Sequence, residues 1–136
     1  MNRVFVTLLL AGALAGCSTT PVPAEKARPV PADRIHGFQA KPQGDFGTMV
    51  VTRDAGLTGS GCYVVLKIDG DKAASFGTSE TATFLLEPGE KVAEISTGIC
   101  GGGPREREVI IKAGESRRYR ISVEMGAGYS LTRTNH

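Results

Sequence analysis

Three cysteines, Cys17, Cys62 and Cys100, carry the most versatile chemistry in this 136-residue chain. A thiol can serve as nucleophile, metal ligand or half of a cross-link. Metal binding has little to work with. No C-x-x-C pair occurs, and the two histidines are His36, in a proline-rich stretch, and His136, the last residue. Nucleophilic catalysis is equally short of partners, because the serines in "TGSGC" and "GTSET" lie outside any G-x-S-x-G and have no histidine between residues 46 and 135 to act as base. The carboxylates Asp69 and Asp71, and Glu87 and Glu90, fall at turns, where acidic side chains are ordinary solvated groups. The loop "GICGGGPRERE" could fold its backbone N–H groups around an anion as a nest. It lacks the phosphate-loop pattern and any following helix, so we expect an inter-strand loop tied down at Cys100. No catalytic residue, cofactor or metal is expected, and the chain is not expected to be an enzyme.

Cys17 follows an apolar run, Val4 to Ala15, broken only by Thr7 and Gly12 and preceded by Arg3. Spanning a bilayer takes about 20 apolar residues, and this run is well short of that. It has the layout of a signal peptide. The stretch Leu14-Ala15-Gly16-Cys17 resembles the lipobox of bacterial lipoproteins. The resemblance implies that residues 1–16 are removed, that the Cys17 thiol carries a diacylglycerol and that the new amino group is acylated. Two or three chains give stable anchoring where one gives only marginal binding. Ser18, where an aspartate would favour retention at the inner membrane, implies the bacterial outer membrane, periplasmic face, with surface exposure left open. That address excludes nucleic acid. With Cys17 committed to lipid, Cys62 and Cys100 remain in an oxidising compartment and are expected to pair. Closing a loop of about 38 residues would stabilise the fold by roughly 4 kcal/mol.

Residues 17–45 hold five of the seven prolines and show no periodic apolar face. Such a Pro-rich linker is expected to run as an extended spacer at about 3.1 Å per residue and lift the domain off the lipid. Within "RIHGF", Ile35 and Phe38 are expected to dock and mark where order begins.

Residues 46–136 alternate short β-rich runs with turn clusters, Gly numbers 18 and Trp is absent. The expected fold is all-β: an antiparallel β-sandwich of about seven to eight strands, preceded by a signal-peptide helix and the tether. "CYVVLKI" has two largely apolar faces and is placed centrally; Asp69-Gly70 is a type I′ hairpin signal. "RRYRISVEM" alternates Tyr119, Ile121, Val123 and Met125 as core against Arg118, Arg120, Ser122 and Glu124 as a wet face. The succession "VTRD", "CYVVLKIDGDKAASF", "TATFLLEPGEKVAEI" resembles a family of small bacterial lipoproteins related in pattern to PEGA-type carbohydrate-surface modules. There, a strand ending in Arg precedes one hairpin and a second hairpin follows. The resemblance implies a compact transthyretin- or immunoglobulin-like sandwich with no enzymatic residues.

From Arg105 onward, seven Lys/Arg stand against four Asp/Glu, a local excess of +3 compared with +2 for the chain. Arg105, Arg107, Arg118 and Arg120 form a candidate binding face for an envelope glycan or anionic glycolipid. The competing expectation is that "REREV" faces "RRYRI" and pairs Arg with Glu across strands. Together these point to a lipid-anchored envelope protein, structural or interacting with a protein or glycan, in an oligomeric state that stays open.

Overall fold

The computed structural model of the chain describes residues 17–136, so the signal-peptide helix expected over 1–16 lies outside the described residues. Nine strands form two sheets packed face to face. They are β1 (Arg28–Pro29), β2 (Gly47–Arg53), β3 (Val64–Ile68), β4 (Asp71–Phe76), β5 (Glu80–Leu86), β6 (Gly89–Ser96), β7 (Arg105–Ile111), β8 (Ser116–Glu124) and β9 (Gly128–Thr134). One sheet has the order β1-β5-β2-β8-β9 and the other β4-β3-β6-β7. The fold is a β-sandwich. Eight of the strands fall on the runs expected from alternation, and β3 is interior, as its two apolar faces require.

Period-two patterning places Met49, Val51, Phe84, Leu86 and Ile121 from the first sheet against Val64, Leu66, Ile68, Ile95 and Val109 from the second, all buried. Each such side chain contributes roughly 1.5–3 kcal/mol on burial. Phe76 and Phe84 meet edge to face with centroids 6.4 Å apart. Asp69 and Gly70 both take positive φ, 49° and 85°, and join β3 to β4 in the expected two-residue turn.

Three expectations give way. The second hairpin does not form: β5 pairs with β2 while β6 pairs with β3 and β7, so Glu87-Pro88 is a crossover between sheets. Local sequence shows a turn but not which sheet the chain enters after it. The sandwich is not purely antiparallel, because β2 runs parallel to β8 and β1 parallel to β5. Met125 lies one residue beyond β8 and is 71% exposed instead of core.

The largest difference is in the tether. Instead of an extended spacer, the proline-rich segment lies along the domain. Thr20 exchanges two backbone hydrogen bonds with Ala55 at 2.8 and 2.9 Å, β1 adds to the edge of β5, and Ile35 bridges to Ala74 of β4. Val30 is buried, and Ile35 and Phe38 pack against the core as expected. The segment thus crosses from the edge of one sheet to the edge of the other and closes that seam. Prolines suit it because an added edge needs only alternate N–H groups: Val30 N–H donates to Thr81 O at 2.9 Å, beside Pro29 and Pro31, which have none.

Candidate functional site

Besides the short β4–β5 turn (77–79), strand polarity collects four chain segments at one end of the sandwich: the loop after β2 (residues 54–63), the β6–β7 loop (97–104), the β8–β9 turn (125–127) and the start of the described chain at Cys17. The disulfide Cys62–Cys100, as expected, joins the first two, with Cα atoms 6.4 Å apart. Arg105 Nη2 donates to Ala127 O at 3.4 Å and joins the second to the third. Met125 N–H donates to Cys17 O at 3.1 Å and joins the third to the fourth. The Cys17 thiol is exposed and free.

This end is built on charge inside the fold. Arg53, 2% exposed, donates to Cys62 O (2.5 Å), Phe76 O (2.8 Å) and Gly59 O (2.6 Å), and its guanidinium carbon lies 6.0 Å from the Tyr129 ring centre. Among the described residues no carboxylate pairs with it; carbonyl dipoles take the place of water. Burial lowers its pKa from the ordinary arginine value, against the opposing pull of Tyr129 and Glu80. Arg53 is the residue at which the "VTRD" strand ends, and its place in the fold is structural.

The neighbouring Asp54, 1% exposed, accepts from Arg120 Nε at 3.0 Å, from Arg120 Nη2, and from the Thr19 hydroxyl at 2.8 Å. Those bonds to Asp54 raise the Arg120 pKa. The Thr19 N–H donates to Val123 O at 3.0 Å, and Val123 N–H returns a bond to the Thr19 hydroxyl at 2.9 Å. A buried carboxylate therefore latches the N-terminal segment two residues from Cys17.

A second buried acid, Glu80, accepts from Arg34 Nη1 and Nη2, each at 2.6 Å, and from Gly77 N–H at 2.6 Å. Burial pushes the Glu80 pKa up, but the bonds from Arg34 and Gly77 outweigh it, and the net value is lowered. Arg34 also covers the Tyr63 ring at 4.5 Å.

The four arginines of the candidate binding face are not brought together. Arg105 and Arg107 belong to β7, while Arg118 and Arg120 belong to β8 in the other sheet. "REREV" does not face "RRYRI": β7 pairs with β6 and β8 with β2 and β9. Arg105 and Arg107 reach across the seam to carbonyls of Ala127 and Leu131, Arg118 pairs with Glu25 at 2.6 Å, and Arg120 with Asp54. Of the expected turn carboxylates, Asp69 accepts from Val92 N–H at 2.8 Å and ties the β3–β4 turn to β6. Gly101, Gly102 and Gly103 all have positive φ, and Cys100 ties their loop to the fold.

Among the described residues no group of three His, Cys, Asp or Glu side chains is placed to share a metal ion, and no helix is long and apolar enough to cross a membrane. The cleft lined by Phe38, Ile68, Leu85, Leu86 and Lys91 holds ≈ 200 Å³; wider and more polar depressions of ≈ 370 Å³ at Gly44, Asp45, Phe46, Thr48 and Gly114 and ≈ 560 Å³ at Arg133, Thr134, Asn135 and His136 lie open on the surface. Asp54 and Glu80 were not legible as buried acids. An acidic residue beside a strand end looks like a turn residue until the arginine that covers it, 66 or 46 positions away, is placed. The chain matches no family model and no curated protein.

Proposed function

We propose that the protein is a bacterial lipoprotein, anchored through Cys17 in the outer membrane on its periplasmic face, and that its sandwich is a non-catalytic structural or interaction module of the envelope. The observation that carries this reading is the division of labour among the three cysteines. Cys17, at the end of Leu14-Ala15-Gly16-Cys17, is exposed and free, while Cys62 and Cys100 are consumed in a disulfide suited to an oxidising compartment. The non-catalytic part is supported by the buried charges. Arg53, Asp54 and Glu80 are the charged groups most removed from water among the described residues, and each spends its hydrogen bonds on holding loops or the N-terminal segment. The alternative, a binding face for an envelope glycan or anionic glycolipid, draws no support from arginines divided between two sheets.

Mass spectrometry of native protein extracted from bacterial membranes tests the anchor. The expected N-terminal peptide begins at Cys17 and carries acyl chains, and Cys17→Ala moves the protein to the aqueous fraction. Native material in the aqueous fraction, with residues 1–16 attached and no acyl mass, would overturn the reading.

A further inference from the structure

Six large apolar side chains stand exposed among the described residues, and they are not scattered. Val92 and Ile110 are on the outer face of the four-stranded sheet, diagonal neighbours on paired strands. The other four share one end of the sandwich. Tyr63 is covered in part by Arg34, which leaves Leu57, Ile99 and Met125, at 91%, 104% and 71% exposure, one on each of the three loops. Single exposed apolar residues need no explanation, but one at each loop tip at a single end marks a surface. The disulfide and the Arg105–Ala127 bond hold those loops together.

What covers that surface follows from where the chain leaves the structure. On the lipid-anchor reading the chain begins at the acylated Cys17, whose carbonyl accepts from Met125 N–H at the tip of the β8–β9 turn. A free tether of residues 17–45 would hold the domain up to on the order of 90 Å from its anchor. The latched segment allows no such distance: Thr19, Thr20 and Val30 are all bonded to the fold.

We propose that the loop end of the sandwich rests on the headgroup region of the bilayer to which Cys17 ties it, with Leu57, Ile99 and Met125 entering the interface. The inference rests on the lipid-anchor reading and adds an orientation to it. The anchor and the three tips act as one multi-point contact, and the opposite end of the sandwich, with the outer faces of both sheets, is turned toward the periplasm.

Because the chain has no tryptophan, single substitutions report position cleanly. Lipidated protein carrying Leu57→Trp, Ile99→Trp, Met125→Trp or, at the far end, Ala113→Trp is placed in vesicles of phosphatidylethanolamine and phosphatidylglycerol at about 3:1. Nitroxide-bearing lipids are expected to quench the three loop tryptophans at least roughly twofold more than the one at 113, with blue-shifted emission, as for an aromatic ring at the interface. Acyl mass and co-flotation with vesicles are measured on the same samples. Acylated protein that floats while all four tryptophans are equally open to aqueous iodide overturns the orientation and leaves the anchor standing. Loop tryptophans shielded from iodide yet unquenched by lipid nitroxides place a second copy there, and also overturn it. Absence of acyl mass overturns both.

Discussion

The two ends of the sandwich are made by different physics. At the loop end, two long connections, 54–63 and 97–104, and the N-terminal segment are held by a disulfide, by a buried arginine whose side-chain partners are carbonyls, and by two buried carboxylate–arginine pairs. At the far end, the connections are the two-residue turn Asp69-Gly70, the crossover Glu87-Pro88 and the turn around Gly114, held by backbone geometry and by exposed pairs such as Lys91–Asp69 at 3.6 Å. Exposed pairs of that kind are worth about 0–1 kcal/mol. Tight turns stabilise themselves locally. Long loops do not, and fixing them takes contacts from elsewhere in the chain. A surface meant to meet something else would justify that expense in charge burial, since it must stay rigid while carrying exposed apolar tips.

If the comparison is right, the largest losses belong to the loop end. Arg53→Leu removes the donors from three carbonyls, of Gly59, Cys62 and Phe76, and should cost about 3–5 kcal/mol in urea unfolding. A loss below about 1 kcal/mol would mean that water replaces the guanidinium and the loops are not dry. Replacing both Cys62 and Cys100 by serine should cost about 2–4 kcal/mol, with the near-native spectrum retained, because the loop they close spans 38 positions. The same double replacement should loosen Ile99 and Leu57 together, visible as faster amide exchange confined to residues 55–63 and 97–104.

Legibility divides along the same line. The far end was readable because its information is local: Asp69-Gly70 states its own turn type, and alternation in "CYVVLKI" and, as far as Val123, in "RRYRISVEM" states which side chains face in. The disulfide followed once Cys17 was set aside. What stayed hidden is long-range. Arg53 looks like an ordinary strand-end residue until three carbonyls converge on it, and Arg120 looks like part of a wet face until Asp54 is placed beneath it. The proline-rich segment ahead of Ile35 was hidden for a related reason: composition records the absence of a periodic face, but Thr20 and Val30 need only isolated contacts to dock an edge.

Acid should separate the ends next. Glu80 has a lowered pKa in the folded state, so its contribution is complete above the ordinary carboxylate value of 4.5 and is lost as pH falls from there through the lower folded value. The stability of the wild-type protein in urea should therefore drop as pH falls below about 5, and Glu80→Gln should flatten that drop while lowering stability at neutral pH by about 1–3 kcal/mol. An unchanged slope in the variant would assign the acid limb to other carboxylates and remove the Arg34–Glu80 pair from the account.

The smallest effect makes the sharpest test, because the same chemical change can be made at both ends. Gly70 and Gly59 each have positive φ, 85° and 71°, so alanine at either is strained in the backbone by about 1 kcal/mol. At Gly70 nothing lies within 4 Å of the added methyl group, and strain is the whole cost. At Gly59 the methyl group meets the Tyr129 hydroxyl, and Tyr129 both donates to Gly59 O at 3.4 Å and faces Arg53. Moving that ring disturbs the carbonyls around Arg53, so Gly59→Ala should cost about 2 kcal/mol to the 1 of Gly70→Ala. Equal losses would mean that the loop end yields as freely as an open turn, and rigidity could no longer be the reason for burying charge there.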